Sequence, residues 1–178
     1  MTAPDGAMAS CPACGEENIR GTDRCSNCLL PLGSLDTPVT DHVLGDSEFA
    51  EELSGLRTQP AMTLAPSVTV KEAIAALREN PSGALLLEDP ASRRIVGIFT
   101  ERDVMLRLAG LDIDLSDPVS KYMTEDPVIL RDSDTIAVAL NKMGDGGFRH
   151  IPLFNAGELA GVVTATDLVR WVMARYFA

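Results

Sequence analysis

Four cysteines and two Thr–Asp pairs are the residues of this chain whose types and spacing can do chemistry. Cys11-Pro12-Ala13-Cys14-Gly15 and Cys25-Ser26-Asn27-Cys28 are two Cys-x-x-Cys knuckles with ten residues between them. Each knuckle can place two thiolates on one metal, and two knuckles complete the tetrahedral sulfur site that Zn²⁺ favours. Four protein thiolates leave no open position for water or substrate, so such a site is structural. The second feature is Gly97-Ile98-Phe99-Thr100-Glu101-Arg102-Asp103, which recurs 64 residues later as Gly161-Val162-Val163-Thr164-Ala165-Thr166-Asp167. In each copy a glycine starts a short β-branched or aromatic strand. The strand ends at Thr, and Asp follows three residues on, where a helix begins. The Thr hydroxyl suits a helix N-cap, and the Asp sits where the helix dipole favours negative charge. Together they can grip a diol such as a ribose. Singly, each copy reads equally well as a Thr-x-x-Asp capping box; the duplication raises the ligand reading.

The elements that must position these residues follow from hydrophobic period and turn chemistry. A short strand at 61–64 and Val68-Thr69-Val70 lead into a helix at 71–79, with Ala73, Ile74 and Leu77 on one face. Asn80-Pro81-Ser82-Gly83 stops it. An apolar strand at 84–87, a turn at 88–92, a return strand at 94–99 and a helix at 101–109 complete the unit. The order then repeats: a strand through Pro127-Val128-Ile129-Leu130, a helix at 136–143 stopped by Gly144-Asp145-Gly146-Gly147, a strand at 148–154, a turn at 155–158, a strand at 159–163 and a helix at 166–176. Thr69 and Ala73 match Thr135 and Ala139 at an offset of 66, and the Gly-Thr-Asp triplets match at 64. A repeat of this length with element order kept is a duplicated β-α-β-β-α unit, and the fold class is α+β.

The Gly-h-x-Thr-x-x-Asp pattern, its tandem occurrence and the Phe148-Arg149-His150-Ile151-Pro152 element resemble cystathionine-β-synthase (CBS) domains, which usually come in pairs called Bateman modules. The resemblance covers roughly residues 56–178. It implies two repeats, 57–117 and 118–178, packed as a pseudo-two-fold pair, with clefts that bind an adenosine-type nucleotide. Asp103 and Asp167 then hold ribose hydroxyls, with Gly97, Thr100, Gly161 and Thr164 beside them. The family's Arg-His-x-Pro element lies beside nucleotide phosphates. Arg149 is a bidentate phosphate donor by geometry, and His150 donates to a phosphate when protonated; a surface ion pair is the alternative role for Arg149. At the offset of 64 the first repeat has Leu85 and Leu86 there, so phosphate contact cannot be equal in the two clefts. With the two-fold, Arg149 and His150 serve the cleft whose ribose Asp103 holds. Arg102 is a further cation before Asp103, where the second repeat has Thr166. Family resemblance also implies a homodimer through helices carrying Met105, Leu106, Val169 and Met173.

The cysteine segment, 11–32, resembles the short zinc ribbons at the ends of many bacterial and archaeal proteins. Two disulfides or a rubredoxin-like iron site are its alternatives. About 20 residues cannot bury a core, so metal binding would supply the folding energy. Residues 1–10 read as a disordered N-terminus without the charged and apolar regions of a signal peptide. Residues 33–56 read as an acidic, solvated linker containing His42; Phe49, Leu53 and Leu56 allow a short helix at 47–55 that docks on the next domain.

The formal net charge of −11 over 178 residues disfavours nucleic acid and anionic membranes as partners. No apolar run reaches transmembrane length, and the cytosol is the expected compartment. No Walker loop and no Ser-His-Asp or Cys-His set is present, so the chain reads as non-enzymatic. The ligand is AMP, ATP or another adenosine compound such as S-adenosylmethionine or a dinucleotide, and the regulated protein partner is unknown. Two other readings stand beside this one. One is an interaction scaffold with no physiological nucleotide; the other is a zinc-ribbon regulator contacting nucleic acid, which Glu16, Glu17 and Asp23 disfavour.

Overall fold

The computed structural model of the chain describes residues 8–33 and 49–177. Most of the expected linker, 34–48 with His42, lies outside the described residues. The chain groups into two compact units, Gln59–Pro127 and a second in which the N-terminal part up to Thr58 joins Val128 onward.

In the first unit β3 (Thr63–Leu64) pairs parallel to β4 (Ala84–Glu88), and β4 pairs antiparallel to β5 (Ile95–Thr100). The helix α1 (Val70–Glu79) connects β3 to β4. It starts where it does because Thr69 and Glu72 close a reciprocal cap: the Glu72 carboxylate accepts the Thr69 N–H at 2.9 Å and the Thr69 hydroxyl accepts the Glu72 N–H at 3.2 Å. Four consecutive residues of β4, Ala84 to Leu87, are buried, as expected of a strand covered on both faces. The helix α2 (Glu101–Asp103) follows β5 directly. A further strand β6 (Thr124–Glu125) pairs with β5.

The second unit repeats the order. The strand β7 (Leu130–Arg131) pairs parallel to β8 (His150–Asn155), which pairs antiparallel to β9 (Glu158–Thr164). The helix α3 (Ile136–Gly146) connects β7 to β8, and α4 (Ala165–Tyr176) follows β9. This is the duplicated β-α-β-β-α unit. Its cysteine segment forms a two-stranded hairpin, β1 (Met8–Ser10) with β2 (Glu17–Ile19). The first strand of that hairpin precedes Cys11, in the stretch expected to be a tail.

Each repeat is completed by the segment that precedes the other. Val70 and Lys71 donate backbone hydrogen bonds to Asp117 and Leu115. At an offset of 66, Ile136 and Ala137 donate to Glu51 and Phe49. Isolated bridges join Thr69 to Pro118 and Thr135 to Glu52. Leu53 is buried with Ile136, Met143 and Leu168 in one core, and Val119 with Val70, Leu77 and Phe99 in the other. The segment before the first repeat therefore docks on the second. It does so through a single 3₁₀ turn at Leu53–Gly55 rather than a helix spanning 47–55. The Leu53 N–H bond to the Asp134 carbonyl and the Ile136 N–H bond to the Glu51 carbonyl hold its backbone extended up to that turn.

Two helices differ from expectation. The stretch 101–109 is one α turn continuing into a π turn at Val104–Leu108, where Ala109 donates to the Val104 carbonyl at 2.9 Å. α3 does not stop at Gly144: it runs to Gly146 and ends at Gly147, whose φ of 64° gives the left-handed cap. Gly144 and Gly146 continue the helix because nothing in their backbone breaks it, and a Cβ on Gly146 would collide with the Phe148 ring.

Candidate functional site

The four cysteines are brought together by two knuckles of the same construction. In the first, Gly15 donates to the Cys11 carbonyl at 2.9 Å with φ 74°; in the second, Leu29 donates to the Cys25 carbonyl at 3.0 Å with φ 59°. The left-handed turn after each Cys-x-x-Cys is glycine in one knuckle and a strained leucine in the other. Cys11 and Cys28 sulfurs lie 3.5 Å apart, Cys14 and Cys25 3.6 Å, and all four fall within 4.8 Å of one another. Four sulfurs at about 2.3 Å from a tetrahedral Zn²⁺ stand roughly 3.7 Å from each other, so the set fits that ion. The cysteines are free thiols, not disulfides.

Asn18, which no motif in the sequence marks, organises this centre. It is buried, its amide donates to the Cys25 sulfur at 3.5 Å and to the Glu16 carbonyl at 2.8 Å, and its oxygen accepts the Ser26 N–H at 2.9 Å. Burial pushes the Cys25 thiol up, but the backbone N–H groups of Cys28 and Asn27, then the Asn18 amide, outweigh it and hold the thiol at about 6. Burial raises the Cys11 and Cys28 thiols instead.

The two Thr–Asp corners are the second site. Asp103 is 7% exposed and Asp167 5%. Thr100 donates its N–H and its hydroxyl to Asp103 Oδ2 at 2.9 and 2.8 Å. Thr164 does the same to Asp167 Oδ2 at 3.0 and 2.6 Å, and Asp167 N–H returns to the Thr164 hydroxyl at 3.1 Å. Both corners are thus closed capping boxes, and the other carboxylate oxygen lies outside these capping bonds. In the first repeat Asp103 Oδ1 meets Thr124 Oγ1 at 3.3 Å and Arg107 Nε at 3.5 Å. In the second, Asp167 Oδ1 meets Arg170 at 3.4 Å. Arg107 also donates to the carbonyls of Tyr122 and Met123, so it ties the π turn to β6. Its Asp-x-x-x-Arg spacing is the sequence signal for it.

Gly97 and Gly161 are buried in their strands. A Cβ at Gly97 would collide with the Met123 side chain, so there the close neighbour is this chain's own methionine. Arg102 and Thr166 are exposed at the first turns of their helices.

Strand register settles where Arg149 and His150 sit. His150 pairs with Thr164, and the Arg149 carbonyl accepts the Ala165 N–H at 2.9 Å, so their backbone flanks the second corner. Arg149 is exposed, and among the described residues no carboxylate pairs with its guanidinium. In the first repeat Ala84 pairs with Thr100. The counterparts of Arg149 and His150 are therefore Gly83 and Ala84, not Leu85 and Leu86. The offset changes from 66 to 64 within the hairpin, after matching register shifts at Leu87/Glu88 and Leu153/Phe154. The loop of the second repeat is the shorter.

The family profile described as CBS domain matches residues 51–110 and 119–174, more than half of the chain. The chain belongs to the CBS-domain family. A CBS domain-containing protein of Arabidopsis thaliana is 35% identical over 150 residues, 83% of this chain but 27% of its own length. An uncharacterized 17.7 kDa protein of Acidianus ambivalens is 37% identical over 123 residues, 68% of this chain and 73% of its own. Among solved structures, the CBS-domain containing protein ATU1752 from Agrobacterium tumefaciens superposes with a TM-score of 0.59 at 32% identity, covering 64% of this chain and 90% of that one. The CBS domain protein PAE2072 from Pyrobaculum aerophilum, complexed with AMP, gives 0.60 at 29% identity, covering 66% and 89%. The two profile matches place two CBS domains in tandem in this chain. No described helix is long and apolar enough to cross a membrane.

Proposed function

We propose that the chain is a non-enzymatic regulatory module of the cytosol that binds an adenosine-type nucleotide at its CBS pair, with a structural Zn²⁺ in the cysteine ribbon. The observation that carries this reading is the pair of buried Thr–Asp corners, one per repeat, each keeping one carboxylate oxygen outside its capping bonds. The AMP complex of the Pyrobaculum relative supports the ligand class. The ribose hydroxyls would be held by Asp103 and Asp167, with Thr100 and Thr164 alongside. Arg149 and His150 would face phosphate, and Arg102 supplies a further cation. Met105, Leu106, Val169 and Met173 are between 52% and 69% exposed, which suits a homodimer formed through these helices. The ribbon would serve as a docking element for a protein partner.

The closed capping boxes favour a second reading, in which Asp103 and Asp167 serve only their helices and the chain is an interaction scaffold. Calorimetric titration of the zinc-loaded protein with AMP, ATP, adenosine and S-adenosylmethionine decides between them. Saturable heats with at least one compound, lost in Asp103→Ala or Asp167→Ala, support the nucleotide module. Flat titrations with all four support the scaffold.

A further inference from the structure

The ribbon and the second repeat share a crevice of about 260 Å³ lined by Cys11, Cys14, Gly15, Arg131, Ser133 and Gly157 among others. Arg131 reaches it from the end of β7. Its Nη2 is buried and has no hydrogen-bond partner among the described residues. An arginine cannot shed its proton, and a buried donor without a partner costs about 1–3 kcal/mol. Asp132, which also lines the crevice, accepts the Asn155 amide at 2.5 Å, and Asp134 accepts the Arg131 backbone N–H at 2.7 Å; among the described residues neither forms an ion pair with the Arg131 guanidinium.

The same face of the second repeat departs from the first in three ways. Arg131 stands where the first repeat has Ala65, at the offset of 66. The hairpin loop is two residues shorter between equivalent strand pairs. Its turn residue Gly157, at φ 88°, lies against the ribbon: a Cβ there would stand 3.2 Å from the Ala13 carbonyl oxygen. Each change makes room for the ribbon or aims a cation at it.

A Zn²⁺ held by four thiolates leaves a net charge of −2 on the centre. We propose that the Arg131 guanidinium is the counter-charge of this centre, acting on its thiolates across the shared crevice and fastening the metal-loaded ribbon to the second repeat. This rests on the zinc reading above. A free anion is a poorer occupant of the crevice, because the dianionic centre beside it would repel it.

The test is zinc affinity of the full chain, measured by competition with a chromophoric chelator, for the natural sequence, Arg131→Gln and Arg131→Lys. Outer-sphere partners of a metal centre typically contribute about 10–100-fold in affinity. Arg131→Gln should lose that factor, and Arg131→Lys should recover part of it through its charge. Trp171 emission follows the fold of the second unit in parallel. A purely structural arginine would move the melt but leave zinc affinity unchanged, and that result overturns the proposal. No zinc uptake by the natural sequence would sink the zinc reading itself, and is distinguishable because all three proteins would then leave the chelator loaded. A third arm adds inorganic phosphate to zinc-loaded protein. A rise in melting temperature that Arg131→Gln abolishes would make the crevice an anion site and overturn the proposal too.

Discussion

Leu53 and Val119, 66 positions apart, are equivalents. Each is fully buried and opens a 3₁₀ turn, and each donates its backbone N–H at 2.8 Å, Leu53 to the Asp134 carbonyl and Val119 to that of Val68. Each precedes one repeat in sequence and fills the core of the other. Leu53→Ala should therefore weaken the second repeat, by about 2–5 kcal/mol for a buried leucine. Trp171, the single tryptophan, packs 5.6 Å from Phe49 and donates to Glu51 at 3.3 Å, so its emission reads out that docking. The Trp171 unfolding transition should shift much further in Leu53→Ala than in Val119→Ala. Equal shifts would show the two units melting as one.

Gly97 and Met123 give a second test. The methionine side chain occupies the space a Cβ at 97 would need. Gly97→Ala should be destabilising by about 1–3 kcal/mol, as overpacking is. Adding Met123→Ala should recover part of that loss, so the double variant should be more stable than the sum of the singles. Strict additivity would mean that Gly97 serves something other than this contact.

Most of the architecture was legible because the hydrophobic period and turn residues agree with it: Thr164 caps where the sequence placed a cap, and the helices after Thr69 and Thr135 begin within a residue of their expected starts. The exchange of segments was not legible. Phe49, Leu53 and Leu56 announce an apolar face, but spacing carries no information about which repeat receives it. The phosphate-side counterpart of His150 was misplaced because a single offset of 64 was carried across a hairpin whose loop differs in length, and only strand pairing reveals Ala84. Arg107 and Asn18 were missed for a related reason. Their roles depend on partners 15 and 7 residues away that a turn brings close. The four cysteines were the most legible site, since two knuckles at that spacing have few other uses.

The metal prediction follows from those cysteines. Purified protein should carry about one Zn²⁺ per chain, and Cys25→Ser should release it, since that thiolate has the most hydrogen-bond support. Sequence separation alone suggests that the repeats would be spared. The contact of Gly157 with Ala13 alters that expectation: the loss should also lower the Trp171 transition, because a metal bound only in the native state stabilises whatever is packed on it. Elemental analysis and a Trp171 melt with and without chelator check both parts. An unchanged melt after complete zinc loss would show the ribbon hanging free of the second repeat.

The last prediction concerns the unequal clefts. Gly83 and Ala84 offer no charge where the second repeat has Arg149 and His150, so only one phosphate-dependent binding event is expected. Arg149→Ala should weaken AMP far more than adenosine, which has no phosphate to lose. A charged hydrogen bond contributes roughly 1.5–3 kcal/mol, or about tenfold and upward in affinity. If the family's two-fold pairs Arg149 with the first corner, Asp103→Ala should abolish the same event and Asp167→Ala should leave it largely intact. The backbone of His150 pairs with Thr164 of its own repeat, which makes the opposite outcome a direct alternative. Loss of the phosphate-dependent event only in Asp167→Ala would put Arg149 and Asp167 at one ligand. Equal losses for AMP and adenosine in Arg149→Ala would assign the arginine to structure, and its exposed guanidinium would then need a partner other than phosphate.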